Sequence, residues 1–247
     1  MLKRAVIKLS GEAIGSPTSS TGYDDLVVDS IVRQIIEVKH TGTQVALVIG
    51  GGNLWRGQQA RPDMCRVKAD QMGMLATVMN ALYLSEAFSR QKQKAKVVTP
   101  ITIGTMTSLY EKDMALEWMS QGIVLINAAG LGHPYFSTDT ITALRAAELG
   151  ADCVLYAKNV NGVYDKDPRN NVGALKFKTL SYNAALYRDL QVADMSALHL
   201  SRDAGIPSYV FGLNVPNSIA LACAYPETGN LQGTYISVDV EEDYYAD

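Results

Sequence analysis

The chain has 247 residues, with 22 Lys and Arg against 25 Asp and Glu, 47% apolar and 19% charged. That is long enough for one large α/β domain with a sizeable core, and the composition excludes intrinsic disorder. Five acidic residues (Asp239, Glu241, Glu242, Asp243, Asp247) crowd the C-terminus, so the net charge of −3 belongs mainly to the tail. The near-neutral body excludes a broad basic field for duplex nucleic acid or an anionic membrane.

The three cysteines (Cys65, Cys153, Cys223) have no C-x-x-C spacing. This argues against a disulfide framework and a Cys-based zinc site, and for a reducing compartment. The N-terminal run Met1–Lys8 carries charge where a signal peptide would be apolar. No apolar stretch approaches the ~18 residues of a membrane span. A cytoplasmic protein is expected, with neither nucleic acid nor membrane as partner.

In chain order, short β-branched runs predict strands at Ala5–Leu9, Gln44–Ile49, Ala95–Val98, Ile123–Ile126, Cys153–Ala157, Ser208–Phe211 and Thr234–Val238. Most are apolar at successive positions, as in strands buried on both faces. Helical spacing falls between them at Leu26–Lys39, Val67–Phe88, Thr138–Leu149 and Asp194–Ala204. On the long second helix, Met72, Leu75, Met79, Leu82 and Tyr83 share a side that reads as core or interface. Gly15–Gly22 and Asn159–Gly173 read as loops, the first low-complexity and mobile. The alternation predicts an α/β fold, a three-layer αβα sandwich around a mainly parallel twisted sheet.

Such sheets bind ligands at the carboxyl ends of their strands. Four corners rich in special residues collect there: Lys8-Leu-Ser-Gly11, Gly50-Gly-Gly-Asn53, Asn127-Ala-Ala-Gly130 and Ala157-Lys158-Asn159. Gly50–Gly52 followed by Arg56 suits a phosphate cradle, because bare backbone N–H groups can approach anionic oxygens. Lys8 suits a fixed positive charge on a transferring phosphoryl group. Taken singly, each candidate has an ordinary structural reading. Lys8 would reach solvent, Arg66 and Asp70 would pair across one helical turn, and Asp139 and Asp194 would stabilise helix N-termini. The Walker A, G-x-G-x-x-G, G-x-S-x-G and H-E-x-x-H patterns are absent, which weakens P-loop ATPases, Rossmann oxidoreductases, α/β-hydrolases and zinc hydrolases.

In combination and order, Lys8–Ala13, Val48–Gly57, Asp70–Asn80, Ala129-Gly130, Pro134–Asp139, Gly162–Pro168 and the Asp194 segment resemble bacterial UMP kinases of the amino-acid-kinase family. The resemblance runs from Lys3 to about Ser237. It implies transfer of the ATP γ-phosphoryl group to UMP, with Mg²⁺ carried by ATP and no metal site of the protein's own. Lys8, Asp139 and Asp194 would be catalytic. Lys8, Leu9, Ser10, Gly11, Gly52, Arg56, Lys158, Tyr164 and Asp167 would bind ATP. Gly51, Asp70, Leu131, Gly132, His133, Pro134, Tyr135, Phe136, Ser137 and Thr138 would bind UMP.

The resemblance also implies a single domain over 1–238, with the UMP side roughly 1–150 and the ATP side roughly 151–238. An acidic tail, 239–247, would then take no part in catalysis. A homohexamer activated by GTP and inhibited by UTP is implied as well, with Arg90, Lys92, Lys94 and Lys96 either an effector site or a solvated face. Three positions depart from the family's common pattern: Leu131 replaces a Thr, Asn161 an Asp and Gly212 an Asn. Base recognition then leans on His133, backbone or water. The alternatives are a kinase of the same family acting on a carboxylate or carbamate, or a non-catalytic storage protein on the same fold.

Overall fold

The computed structural model describes residues 1–56, 61–228 and 232–245; Gly57 of the glycine-rich motif and Asp247 of the tail lie outside them. The strands are β1 (Arg4–Leu9), β2 (Gln44–Ile49), β3 (Ala95–Thr99), β4 (Ser108–Leu109), β5 (Val124–Asn127), β6 (Cys153–Lys158), β7 (Phe177–Ser181), β8 (Ser208–Gly212), β9 (Thr234–Ser237) and β10 (Asp243–Tyr244). They form one sheet in the order β10-β7-β9-β8-β6-β1-β2-β5-β3-β4. Pairing is parallel except at β8–β9 and β7–β10.

The helices are α1 (Asp25–His40), α2 (Arg66–Arg90), α3 (Lys112–Ser120), α4 (Thr138–Leu149), α5 (Tyr182–Tyr187), α6 (Met195–Asp203) and α7 (Ser218–Thr228). Alternation along the strands sorts them into two layers. Ala5, Ile7 and Leu9 of β1 share a core with α1, α2 and α7. Val6 and the even positions of β2 and β6 share the other core with α3, α4, α5 and α6. The three-layer αβα sandwich is therefore present, and among the described residues no helix is long and apolar enough to cross a membrane.

The expected strands and helices all occur, with ends shifted by up to two residues. Strands β4, β7 and β10 and helices α3, α5 and α7 were not expected. The Gly15–Gly22 loop is closed by Ser16 N donating to Gly22 O at 3.0 Å and by a bridge between Gly15 and Tyr23. Of the α2 side that reads as core or interface, Met72, Leu75 and Met79 are 41%, 54% and 58% exposed, whereas Leu82 and Tyr83 pack against the α1–α2 core. The C-terminal residues also depart from expectation, because β10 continues the sheet beyond β7 instead of trailing from it.

One feature of the topology fixes where a ligand can sit. From β1 the chain runs outward through β2 towards the β4 edge, then returns to β6 on the other flank of β1. The carboxyl end of β1 is thus the switch point, and the crevice there is the expected ligand position.

Candidate active site

Lys8 lies near the carboxyl end of β1, beside Val48 of β2 and Tyr156 of β6. Its even position turns it to the α4 face, where Nζ lies 3.2 Å from Asp139 Oδ1 with both side chains largely shielded. That carboxylate oxygen is buried and has no directed hydrogen bond among the described residues. Asp139 is presented by the first turn of α4, whose N-cap Ser137 accepts from Asp139 N at 3.0 Å and Thr140 N at 3.3 Å. Asp194 is the N-cap of α6, accepting from Ala197 N at 2.7 Å and from Thr140 Oγ1 at 2.9 Å. Ser137 Oγ donates to the same Asp194 carboxylate, tying the two helix starts together. The ordinary capping roles of these aspartates and their place at the site coexist.

After β1 the chain makes a single 3₁₀ turn, Gly11–Ala13, against the glycine loop that follows β2. A Cβ on Gly11 would lie 2.6 Å from Gly52 N, and one on Gly51 2.9 Å from Gly73 O, so both backbones need glycine for their approach. The loop is anchored by Asn80 of α2, fully buried, which donates to Gly50 O at 2.6 Å and to Asn53 Oδ1 at 2.7 Å. Arg56 donates to Gly52 O at 3.1 Å and pairs with Glu12 at 2.9 Å.

The far end of the cleft is built by α2 and the loop after β5. Asp70 pairs with Arg66 at 2.8 Å, the local ion pair expected from spacing, and also accepts from Tyr135 N at 2.8 Å. Thr77 Oγ1 accepts from Ala129 N at 2.7 Å and donates to Met74 O at 2.7 Å. Ala129 sits at φ 61°, a left-handed conformation that the contact with Thr77 holds in place.

Together these elements enclose a cleft of about 540 Å³ lined by Lys8, Glu12, Gly51, Gly52, Trp55, Arg56, Asp70, Thr77, His133, Phe136, Ser137, Thr138 and Asp139. Its cations, Lys8 and Arg56, stand at the glycine-loop end, and Asp70 stands at the other. Four of the expected UMP-loop residues do not line it. Leu131 packs into the α3–α6 core, Gly132 lies against Pro100 and Ile101, Pro134 is absent from the walls, and Tyr135 is 68% exposed with its ring 5.3 Å from the Arg66 guanidinium. Leu9 is buried in the α1–α2 core and its carbonyl accepts from Gly50 N at 2.9 Å, while Ser10 O accepts from Ala13 N at 3.1 Å.

Tyr164 and Asp167 line a second cavity of about 300 Å³, with Asp165, Lys166, Arg169, Arg188, Leu190 and Gln191. Tyr164 donates to Asn161 Oδ1 at 2.6 Å. Asp167 pairs with Arg169 at 3.0 Å, and these hydrogen bonds hold its carboxyl below the usual range. Lys158, at the end of β6, donates to Val192 O. Burial lowers its pKa and Lys8 adds to that, while Asp139 opposes both, so Lys158 belongs electrostatically to the Lys8–Asp139 pair. Sequence reasoning gave no role to Glu12, Thr77, Asn80 or Arg188. Glu12, Thr77 and Asn80 fall inside Lys8–Ala13 and Asp70–Asn80, but Arg56, Ala129 and Gly50, which they contact, are distant in the chain.

A lysine–aspartate pair facing a glycine cradle at a switch point defines a phosphotransferase-type site on an αβα sandwich. Residues 3–212 match the model of the amino acid kinase family, and the chain belongs to that family. The chain is similar to a uridylate kinase of Streptococcus thermophilus, 45% identical over 88% of this chain and 89% of that protein. It is 42% identical to a uridylate kinase of Oenococcus oeni over 92% and 95% of the two chains. Among solved structures, UMP kinase from Bacillus anthracis superposes with a TM-score of 0.93 at 32% identity, covering 99% of both chains. UMP kinase from Ureaplasma parvum gives 0.88 at 35%, covering 95% and 98%.

Proposed function

We propose that the protein is an enzyme that transfers the γ-phosphoryl group of ATP to UMP, giving ADP and UDP, a step of pyrimidine nucleotide biosynthesis. The observation that carries this reading is the 540 Å³ cleft that brings Lys8, Arg56 and the bare backbone of Gly51 and Gly52 together in one wall, with Asp70 in another. Two phosphate groups suit the first wall and ribose hydroxyls the second. A carboxylate or carbamate acceptor would meet Asp70 as a like charge, which disfavours the related kinases.

The UMP phosphate has its second pKa near 6 and is mostly dianionic at neutral pH, so its oxygen attacks without a general base. A P–O bond forms to the γ-phosphorus as the bond to the β-phosphate oxygen breaks, and that oxygen leaves on ADP. Catalysis is then positioning plus charge. Lys8 neutralises charge on the transferring group, Asp139 holds Lys8, and Asp194 holds the α4 start that carries Asp139. Gly51 and Gly52 admit the facing phosphates, and Tyr164 and Asp167 hold the adenosine of the donor. Mg²⁺ travels with ATP and neutralises phosphate charge. The Asp139 carboxylate, whose Oδ1 is paired with Lys8 and makes no hydrogen bond among the described residues, is the oxygen donor that would hold it.

The same reading places the protein in the cytoplasm as a homohexamer responsive to GTP and UTP. An exposed apolar stripe on α2 supports assembly. Lys92, Lys94 and Lys96 line a surface cavity of about 710 Å³ that suits a polyphosphate, while Arg90 turns instead to Asp29 at 3.2 Å. The test of the activity is coupled ADP release with Mg²⁺-ATP and UMP, CMP, dTMP, GMP or small carboxylates. Rapid turnover with UMP alone is expected; turnover with a carboxylate instead would transfer the protein to the other kinases.

A further inference from the structure

The C-terminal strand has no part in the reaction just described, and residues beyond 212 lie outside the family match. It is nonetheless firmly docked. Thr179 Oγ1 donates to Glu241 O at 2.7 Å, Tyr245 N donates to Lys176 O at 3.1 Å, and Tyr245 OH donates to Gly233 O at 2.7 Å. The Tyr244 ring packs on Phe177 at 4.5 Å, and Lys178 pairs with Asp243 at 3.4 Å. One more contact reaches the nucleotide cavity. Arg188, just past the end of α5, pairs with Glu242 at 2.7 Å, donates to Tyr244 OH at 3.3 Å and lies over the Phe177 ring at 5.8 Å. Arg188 is also a wall of the cavity that contains Tyr164 and Asp167.

We propose that Glu242 is a positioning residue for the donor nucleotide, acting through Arg188, so that the acidic C-terminal strand shapes the ATP cavity from outside it. The inference rests on reading that cavity as the donor site. An arginine has several rotamers and loses side-chain entropy when fixed. Here Tyr244 of β10 and Glu242 just before it supply two of the guanidinium's partners, and Tyr244 packs on the ring beneath it, so this segment holds the wall in one place before ATP arrives. Without Glu242, the Asp165 carboxylate, which lines the same cavity and already acts electrostatically on Arg188, becomes an alternative partner. The guanidinium would then occupy space meant for the nucleotide.

The experiment is steady-state kinetics on the full chain with four single variants and one double variant. Glu242→Gln should raise KM for ATP about two- to fivefold, the scale of one partly exposed ion pair, with kcat and KM for UMP unchanged. Arg188→Gln should raise it at least as much, and combining the two should add nothing. Lys178→Gln removes the neighbouring ion pair to the same strand and should leave KM for ATP alone. An unmoved KM in Glu242→Gln overturns the proposal if Tyr164→Ala raises it. Equal rises in Lys178→Gln and Glu242→Gln also overturn it, by assigning the effect to strand docking in general. If Tyr164→Ala leaves KM for ATP unmoved, the donor reading of the cavity fails first and the inference with it.

Discussion

Lys8 owes its position to parity. As an even residue of β1 it shares a face with Val6 and meets α4, whereas a one-residue slip would send it towards α1 and α2. Lys8→Met keeps the aliphatic stem and removes the charge; turnover should fall by at least a hundredfold, with the melting temperature little changed. Lys158 supplies a second test. Its lowered pKa means that it loses its proton below the ordinary lysine value of 10.5, so any charge it contributes fades as pH rises through that lowered value. Arginine stays charged throughout, so Lys158→Arg should move the alkaline limb of the kcat profile to higher pH; an identical limb would remove Lys158 from the site. Lys8, Gly51 and Gly52 were legible in sequence because strand ends and glycines carry their meaning locally. Glu12, Thr77 and Asn80 were not, because each acts on a backbone or guanidinium group that only the fold brings near.

At the scale of elements, the site depends on two helix starts held in register. Asp194 caps α6 while accepting from Ser137 and Thr140 of α4, so one carboxylate joins both. Asp194→Ala should cost about 1 kcal/mol as a lost cap, measured by urea unfolding, and should also lower kcat. Asp194→Asn keeps an acceptor oxygen and should lose less stability than activity. The central strands were readable because burial on both faces writes them as unbroken apolar runs. The outer elements were harder to read. Strands β4 and β10 are two residues each, and α3 buries only Ala115 and Met119. Helix α7 is apolar without a clear stripe, so periodicity has little to report.

At the scale of the molecule, Met72, Leu75 and Met79 recur at helical spacing on the open side of α2, the pattern of a covered face. On the proposed assembly through this face, Met79→Glu should lower the solution mass, read by light scattering; an unchanged mass would count against α2 as the contact. The cysteines differ in kind. Cys65 is exposed, whereas burial raises the Cys153 thiol and pushes Cys223 up to about 12. A thiol reagent at neutral pH should therefore find one rapid site in the native protein and three after denaturation.

Helix α2 also sets a length. It anchors the glycine loop through Asn80 and the acceptor loop through Asp70, ten residues apart on one rigid rod. At 1.5 Å per residue the two anchors stand about 15 Å apart along its axis. The helix thus keeps the loop after β2 and the loop after β5 in one fixed register. Adding a single alanine between Gln71 and Met79 would turn one anchor about 100° against the other, misaligning the two loops with no lining residue substituted.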